Sequence, residues 1–152
     1  MITTNYQEIS TKLSDLKCCV LIPTYNNEKT LKAVIDSVKE YTSDIIIIND
    51  GSSDSTISIL NYFGSLSQIH FLKNKGKGMA LRAGFKKAFS LGFDFAITID
   101  SDGQHYADDI PVFVSELEKN VEVVLIGSRN MTHASVPKNS SFGQPLQTIT
   151  GK

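Results

Sequence analysis

Five short apolar runs, each cut off by polar residues and separated by stretches of helical spacing, constrain this chain more than any other feature. They are Cys18-Cys19-Val20-Leu21-Ile22 before Pro23, Ile45-Ile46-Ile47-Ile48 before Asn49-Asp50-Gly51, and Ile69-His70-Phe71-Leu72 before Lys73. Phe95-Ala96-Ile97-Thr98-Ile99 then ends at Asp100, and Val123-Val124-Leu125-Ile126 at Gly127. Short, largely β-branched and apolar on both faces, such runs suit strands of a parallel sheet covered by helices. The intervening stretches repeat apolar residues at three- and four-residue spacing: Leu31, Val34, Ile35, Val38; then Ile57, Leu60, Phe63. Met79, Ala80, Ala83, Phe85, Ala88 and Phe89 follow more loosely up to Gly92, and Ile110, Phe113, Val114 and Leu117 make a fourth stripe. Strand–helix–strand repetition of this kind implies right-handed crossovers, and so an α/β fold with a mostly parallel sheet flanked by helices.

Open sheets of this class bind ligands outside the carboxyl ends of their strands. Unusual polar residues sit there: Thr24-Tyr25-Asn26-Asn27, Asn49-Asp50-Gly51-Ser52 and Asp100-Ser101-Asp102. In extended backbone, side chains two apart share a side, so Asp100 and Asp102 can converge on one object. With the Gln104 carbonyl they would offer hard oxygen ligands for Mg²⁺ or Mn²⁺ shared with a substrate's phosphates. Taken alone, the same pair also reads as two solvated loop carboxylates. His105 reads equally as a ligand, a phosphate contact or a surface histidine. In "NDGSSDST" (49–56), Gly51 permits a tight turn, Ser52 or Ser53 can cap a helix, and Asp50 is placed to accept hydrogen bonds. In "NKGKGMALRAGF" (74–85), amides and the charges of Lys75 and Lys77 can receive phosphate at a helix mouth or stay solvated. Neither GxxxxGK[ST] nor GxGxxG occurs at the expected places, which removes the best evidence for an ATPase or a dinucleotide-dependent enzyme.

Composition narrows the setting. A length of 152 residues supplies one core, and 41% hydrophobic with 20% charged residues suits a folded protein rather than a disordered one. A formal net charge of −1 gives no field for nucleic acid. Apolar runs stay strand-length, and the polar start Met1–Asn5 does not read as a signal peptide. Cys18 and Cys19 are adjacent, where a mutual disulfide would be strained, so two buried free thiols in a reducing cytosol are expected. Residues 1–17 carry Ile2, Tyr6, Ile9, Leu13 and Leu16 at helical spacing, as an amphipathic extension. It suits packing on its own domain better than a membrane surface, since lysine and arginine are scarce there. Residues 131–152 read as a polar tail, leaving 18–130 as the ligand-binding domain of a soluble, cytoplasmic protein.

Together "IPTYNNEKTL", "IIIINDGSSDST", "NKGKGMALRAGF", "IDSDGQH" and "LIGSRNM", in that order, resemble the family 2 glycosyltransferases of the GT-A fold. The likeness is greatest to the branch similar to dolichyl-phosphate mannosyltransferase, which glycosylates polyprenyl phosphates. It implies that Pro23 and Tyr25 line a nucleotide site, with Ile48 and Asp50 around the base and ribose. Asp100, Ser101 and Asp102 match the family's DxD stretch, and Asp100, Asp102 and Gln104 would serve metal and diphosphate. Asp102 and Arg129 would carry the catalytic burden, Arg129 by meeting phosphate with its fixed, planar charge. Where the first motif usually reads P-x-Y-N-E, this chain has Asn27, able to hydrogen-bond a nucleotide but bringing no charge. Glu28, next along, would point elsewhere unless the loop shifts.

The resemblance implies an inverting, metal-dependent transfer from a UDP- or GDP-linked sugar to an acceptor. A polyprenyl phosphate fits the absence of an evident general base, because its oxygen is already anionic with a second pKa near ~6. Such an acceptor implies at most a peripheral place at the membrane. Family members continue beyond the "GSR" strand into the half that builds the acceptor pocket. A sheet lacking it would favour self-association or a partner on the open edge. The other readings are a catalytically inactive nucleotide-sugar-binding module and a nucleotidyltransferase; the latter needs a glycine-rich basic loop where this chain has "PTYNNEKT".

Overall fold

The computed structural model describes residues 5–103 and 107–119. The expected strand at 123–126, Gln104, His105, Arg129 and the polar tail lie outside the described residues.

Helix α1 (Tyr6–Asp15) leads into strand β1 (Cys18–Thr24), followed by α2 (Leu31–Lys39), β2 (Ile45–Asn49) and α3 (Thr56–Tyr62). Strand β3 (Ser67–His70), helix α4 (Lys77–Ser90), strand β4 (Phe95–Thr98), a 3₁₀ turn at Ala107–Asp109 and helix α5 (Ile110–Lys119) complete the order. The four strands form one parallel sheet, β3-β2-β1-β4. Val20 stands opposite Ile45 on one side and Ile97 on the other. Every residue of β1 and β2 is buried, which is why their sequences are apolar without alternation.

The two faces are covered differently. Leu13 of α1, Leu31, Ile35 and Val38 of α2, Leu60 of α3, and Val114 and Leu117 of α5 pack with Val20, Ile22, Ile45 and Ile47. On the opposite face Leu21, Ile46 and Ile48 meet Ala80 and Ala88 of α4. Cys18 belongs to the first cluster and Cys19 to the second, so the thiols point to opposite sides, free and buried. Burial pushes both up to about 12, as the strand alternation dictates for thiols held in apolar surroundings. The N-terminal segment joins its own core: Leu13 is buried, Ile9 and Leu16 lie against the cluster, and the Asn5 side chain caps the helix by accepting from Glu8 N at 3.1 Å.

Three sequence expectations are corrected. Strand β3 lies two residues earlier than the run Ile69–Leu72, because Ser67–His70 is the segment in register with Ile46–Asn49, and Leu72 is fully exposed. The polar start is accounted for by Gln68, whose Nε2 donates to the carbonyls of Leu60 and Phe63 at the end of α3 (2.9 and 3.0 Å). Helix α4 buries Ala80, Gly84 and Ala88 and turns Met79, Phe85 and Phe89 outward. The helix lies so close to the sheet that a Cβ on Gly84 would stand 2.8 Å from Ile48 Cδ1, leaving room only for small residues. On α3, Ile57 likewise faces solvent, and Thr56 and Leu60 are the buried positions.

Candidate functional site

Strands β2 and β3 lie to one side of β1, and β4 to the other. The crevice outside the carboxyl ends of β1 and β4 is therefore the point where strand order reverses, the usual ligand position in open α/β sheets. A cavity of about 260 Å³ opens there. Pro23, Thr24, Tyr25 and Asn27 line it from the first strand and its loop, Asp50 from the second, and Asp100, Ser101 and Asp102 from the fourth. Asn74, Lys77 and Ala80 complete the wall from the start of α4. Seven of the expected site residues thus meet at one place: Pro23, Tyr25, Asn27, Asp50, Asp100, Ser101 and Asp102. Ile48 is fully buried beneath α4, close to Gly84, and is not part of the wall.

The loop after β4 divides its side chains. Ser101 turns inward and is buried, donating from Oγ to the Pro23 carbonyl at 3.0 Å while accepting from Asn27 Nδ2 at 2.6 Å. Its own carbonyl accepts from Thr30 Oγ1 at 2.6 Å, which sews the loop to the start of α2. Asn27 is suited to this place because its amide donates where a glutamate would only accept. Gly103, at φ +78°, ends the turn. Asp100 and Asp102 flank the buried serine, and Asp100 Oδ1 holds the Lys77 ammonium at 2.6 Å.

The loop after β2 serves its own neighbours. Asp50 is 3% exposed and accepts three hydrogen bonds, from Lys75 N (2.7 Å), Gly76 N (2.9 Å) and Asn74 Nδ2 (3.1 Å). The amides expected to receive phosphate at the mouth of α4 are therefore engaged by Asp50, a correction the sequence did not suggest. Gly51, at φ +72°, brings the two loops into direct contact: a Cβ there would stand 2.3 Å from the Lys73 carbonyl carbon. Nor do Ser52 and Ser53 cap α3. Ser52 Oγ accepts from Asn26 N, Ser53 N donates to Asn26 Oδ1, and Asp54 Oδ1 takes the Thr56 amide at 3.0 Å. Glu28 points away from the cavity, accepting from Ser55 N at 2.8 Å.

Asn74 and Ala80 were not singled out for the site from sequence, and Lys77 reads there as either a phosphate contact or a solvated charge. Their signal was the glycine-rich entry to α4, whose chemistry depends on how Asp50 folds it. Two carboxylates and one ammonium in a crevice at strand ends suit a ligand carrying both cationic and anionic groups, such as a metal-bound diphosphate.

This is an open α/β sheet of the GT-A kind, with its crevice at the reversal of strand order. The model of the family described as "Glycosyl transferase family 2" matches residues 19–142, and the chain belongs to that family. Among its relatives is a UDP-N-acetylglucosamine–dolichyl-phosphate N-acetylglucosaminyltransferase of Methanococcus voltae, 34% identical, covering 77% of this chain and 53% of the relative. An undecaprenyl-phosphate 4-deoxy-4-formamido-L-arabinose transferase of Proteus mirabilis is 30% identical, covering 82% and 41%. The chain spans about half the length of such curated relatives. The same fold occurs in glucosyl-3-phosphoglycerate synthase of Mycobacterium tuberculosis, solved with Mn²⁺, UDP and phosphoglyceric acid (TM-score 0.66, 23% identity, 85% of this chain and 48% of that one).

Proposed function

We propose that this chain forms the donor site of a glycosyltransferase that moves a sugar from a nucleoside diphosphate to a polyprenyl phosphate. The observation that carries the reading is the convergence of Asp100, Asp102 and Lys77 on one crevice at the strand-order reversal. The names of the relatives support a polyprenyl phosphate acceptor. UDP is favoured over GDP, since it is named both for the Methanococcus relative and for the solved neighbour.

The residues fit a divalent cation. Two carboxylates supply hard oxygen donors, and a cationic group, the Lys77 ammonium, already stands against Asp100. When bound, Mg²⁺ or Mn²⁺ would neutralise the diphosphate leaving group. Asp100 and Asp102 would hold it, with Gln104 adding an oxygen, while Tyr25, Pro23 and Asn27 frame the nucleoside. Asp50, itself part of the wall, fixes the loop that carries Asn74 and Lys77. Ser101 anchors the backbone between the two carboxylates. The acceptor's phosphate oxygen attacks the anomeric carbon with inversion as the glycosidic bond to the diphosphate breaks, and Arg129 meets the departing charge. No proton need be removed from such an acceptor, since its oxygen is anionic near neutral pH. Among the described residues no helix is long and apolar enough to cross a membrane.

Titration calorimetry with UDP, GDP and UDP-N-acetylglucosamine, each with and without Mn²⁺, tests the donor site. Manganese-dependent binding of UDP and its sugar conjugate is expected; binding of none would remove the proposal. Product formation with a short polyprenyl phosphate, against hydrolysis as control, then separates transfer from donor binding alone.

A further inference from the structure

The Lys77–Asp100 contact joins a lysine at the first position of α4 to the first carboxylate of the acidic pair, across the crevice. Both residues line the cavity. The base of the lysine is fixed, because Asp50 holds the amides of Lys75 and Gly76 immediately before it. Its side chain is 59% exposed, against 24% for Asp100. Lys77 is thus a cation tethered at its base, on a four-carbon arm that lies largely in solvent.

We infer that Lys77 is an exchangeable counter-ion: it holds Asp100 while the crevice lacks a donor, yields that carboxylate to a divalent cation, and moves onto the donor's diphosphate. This rests on the proposed donor site and adds an order of events to it. A cation arriving at Asp100 would stand close to the ammonium that this carboxylate holds at 2.6 Å, so the two positive charges compete for one carboxylate. If the cation took the other oxygen, it would still meet like charge across one carboxylate. The exposed pair is weak, so a metal displaces it readily. The released ammonium then faces the polyanion in the same crevice, within reach of a stem pinned at its base. Metal and nucleotide each remove an obstacle to the other, and their binding is positively and reciprocally coupled.

The test uses Mn²⁺ alone, followed by free Mn²⁺ electron paramagnetic resonance, and UDP with Mn²⁺, followed by calorimetry, on the wild-type chain and Lys77→Met. The variant should bind Mn²⁺ alone about three- to fivefold more tightly, as removal of a competing exposed ion pair predicts. The same variant should bind UDP with Mn²⁺ about tenfold more weakly, having lost a charge-assisted contact to phosphate. Lys77→Arg, which keeps the charge, should leave the metal-only affinity near wild type. Opposite signs for the two affinities distinguish exchange from a merely structural role, which would weaken both. Unchanged or weaker Mn²⁺ binding by Lys77→Met, with normal manganese-dependent UDP binding by wild type, overturns the exchange and leaves the donor site standing. Failure of both proteins to bind Mn²⁺, with or without UDP, overturns both.

Discussion

Asp50 follows strand β2 and Asp100 follows β4 by one residue further, two carboxylates at the same end of one parallel sheet. Their surroundings differ in kind. Asp50 is nearly inaccessible, and three donors from residues 74–76 fill its oxygens. Asp100 keeps part of its surface in the crevice and holds the largely exposed Lys77. Position at a strand end puts a carboxylate near a ligand, but its neighbours decide whether it builds the wall or meets what enters. Asp50 is spent on the loop bearing Lys77, and Lys77 is what reaches Asp100. The two carboxylates are therefore connected through five residues of chain, from Gly51's contact at Lys73 to Lys77 at the mouth of α4.

The contrast is broken most severely at Gly51. Gly51→Ala adds a Cβ at a positive φ and 2.3 Å from backbone, with no flexible side chain to give way. A loss of at least about 3 kcal/mol in chemical denaturation is expected, together with weakened UDP binding. Next comes the pair itself. Asp50→Ala leaves two backbone amides without their acceptor and should cost about 2–3 kcal/mol. Asp100→Ala, which removes an exposed ion pair, should cost less than about 1 kcal/mol. Equal losses in urea unfolding would erase the distinction drawn between them.

The smallest effect concerns Cys18 and Cys19, far from either carboxylate. Both thiols are raised by burial from 9.0 to about 12, so they stay protonated in the fold while the unfolded chain ionises. Their contribution is complete below about pH 9 and declines as pH rises from there to about 12. Native protein at pH 8 should resist a thiol reagent, and urea should expose both thiols together.

Much of this was legible because strands buried on both faces advertise themselves. Cys18–Ile22 and Ile45–Ile48 matched most of β1 and β2, Phe95–Ile99 covered all of β4, and strand order then placed the acidic pair at the crevice. Residues that act through distant partners were opaque. Nothing in "NDGSSDST" says that Asp50 folds residues 74–76, since that contact depends on β3 returning beside β2. The outward turn of Phe85 and Phe89 was hidden too. A helix resting on small residues reverses the rule that large apolar side chains mark the buried face, and only the approach of Gly84 to Ile48 shows why. Ser67-Gln68 looked like loop because its polar side chain serves the end of α3 rather than the strand.

The central claim is that the carboxylates after β4 hold a cation against a nucleoside diphosphate, and Asp102→Ala tests it most directly. UDP should be titrated calorimetrically into wild type and variant, with and without Mn²⁺, after circular dichroism has shown both folded. The account predicts manganese-dependent binding in wild type and its loss in Asp102→Ala at unchanged thermal stability. Equal UDP affinity in the two proteins, with the same response to Mn²⁺, would contradict it.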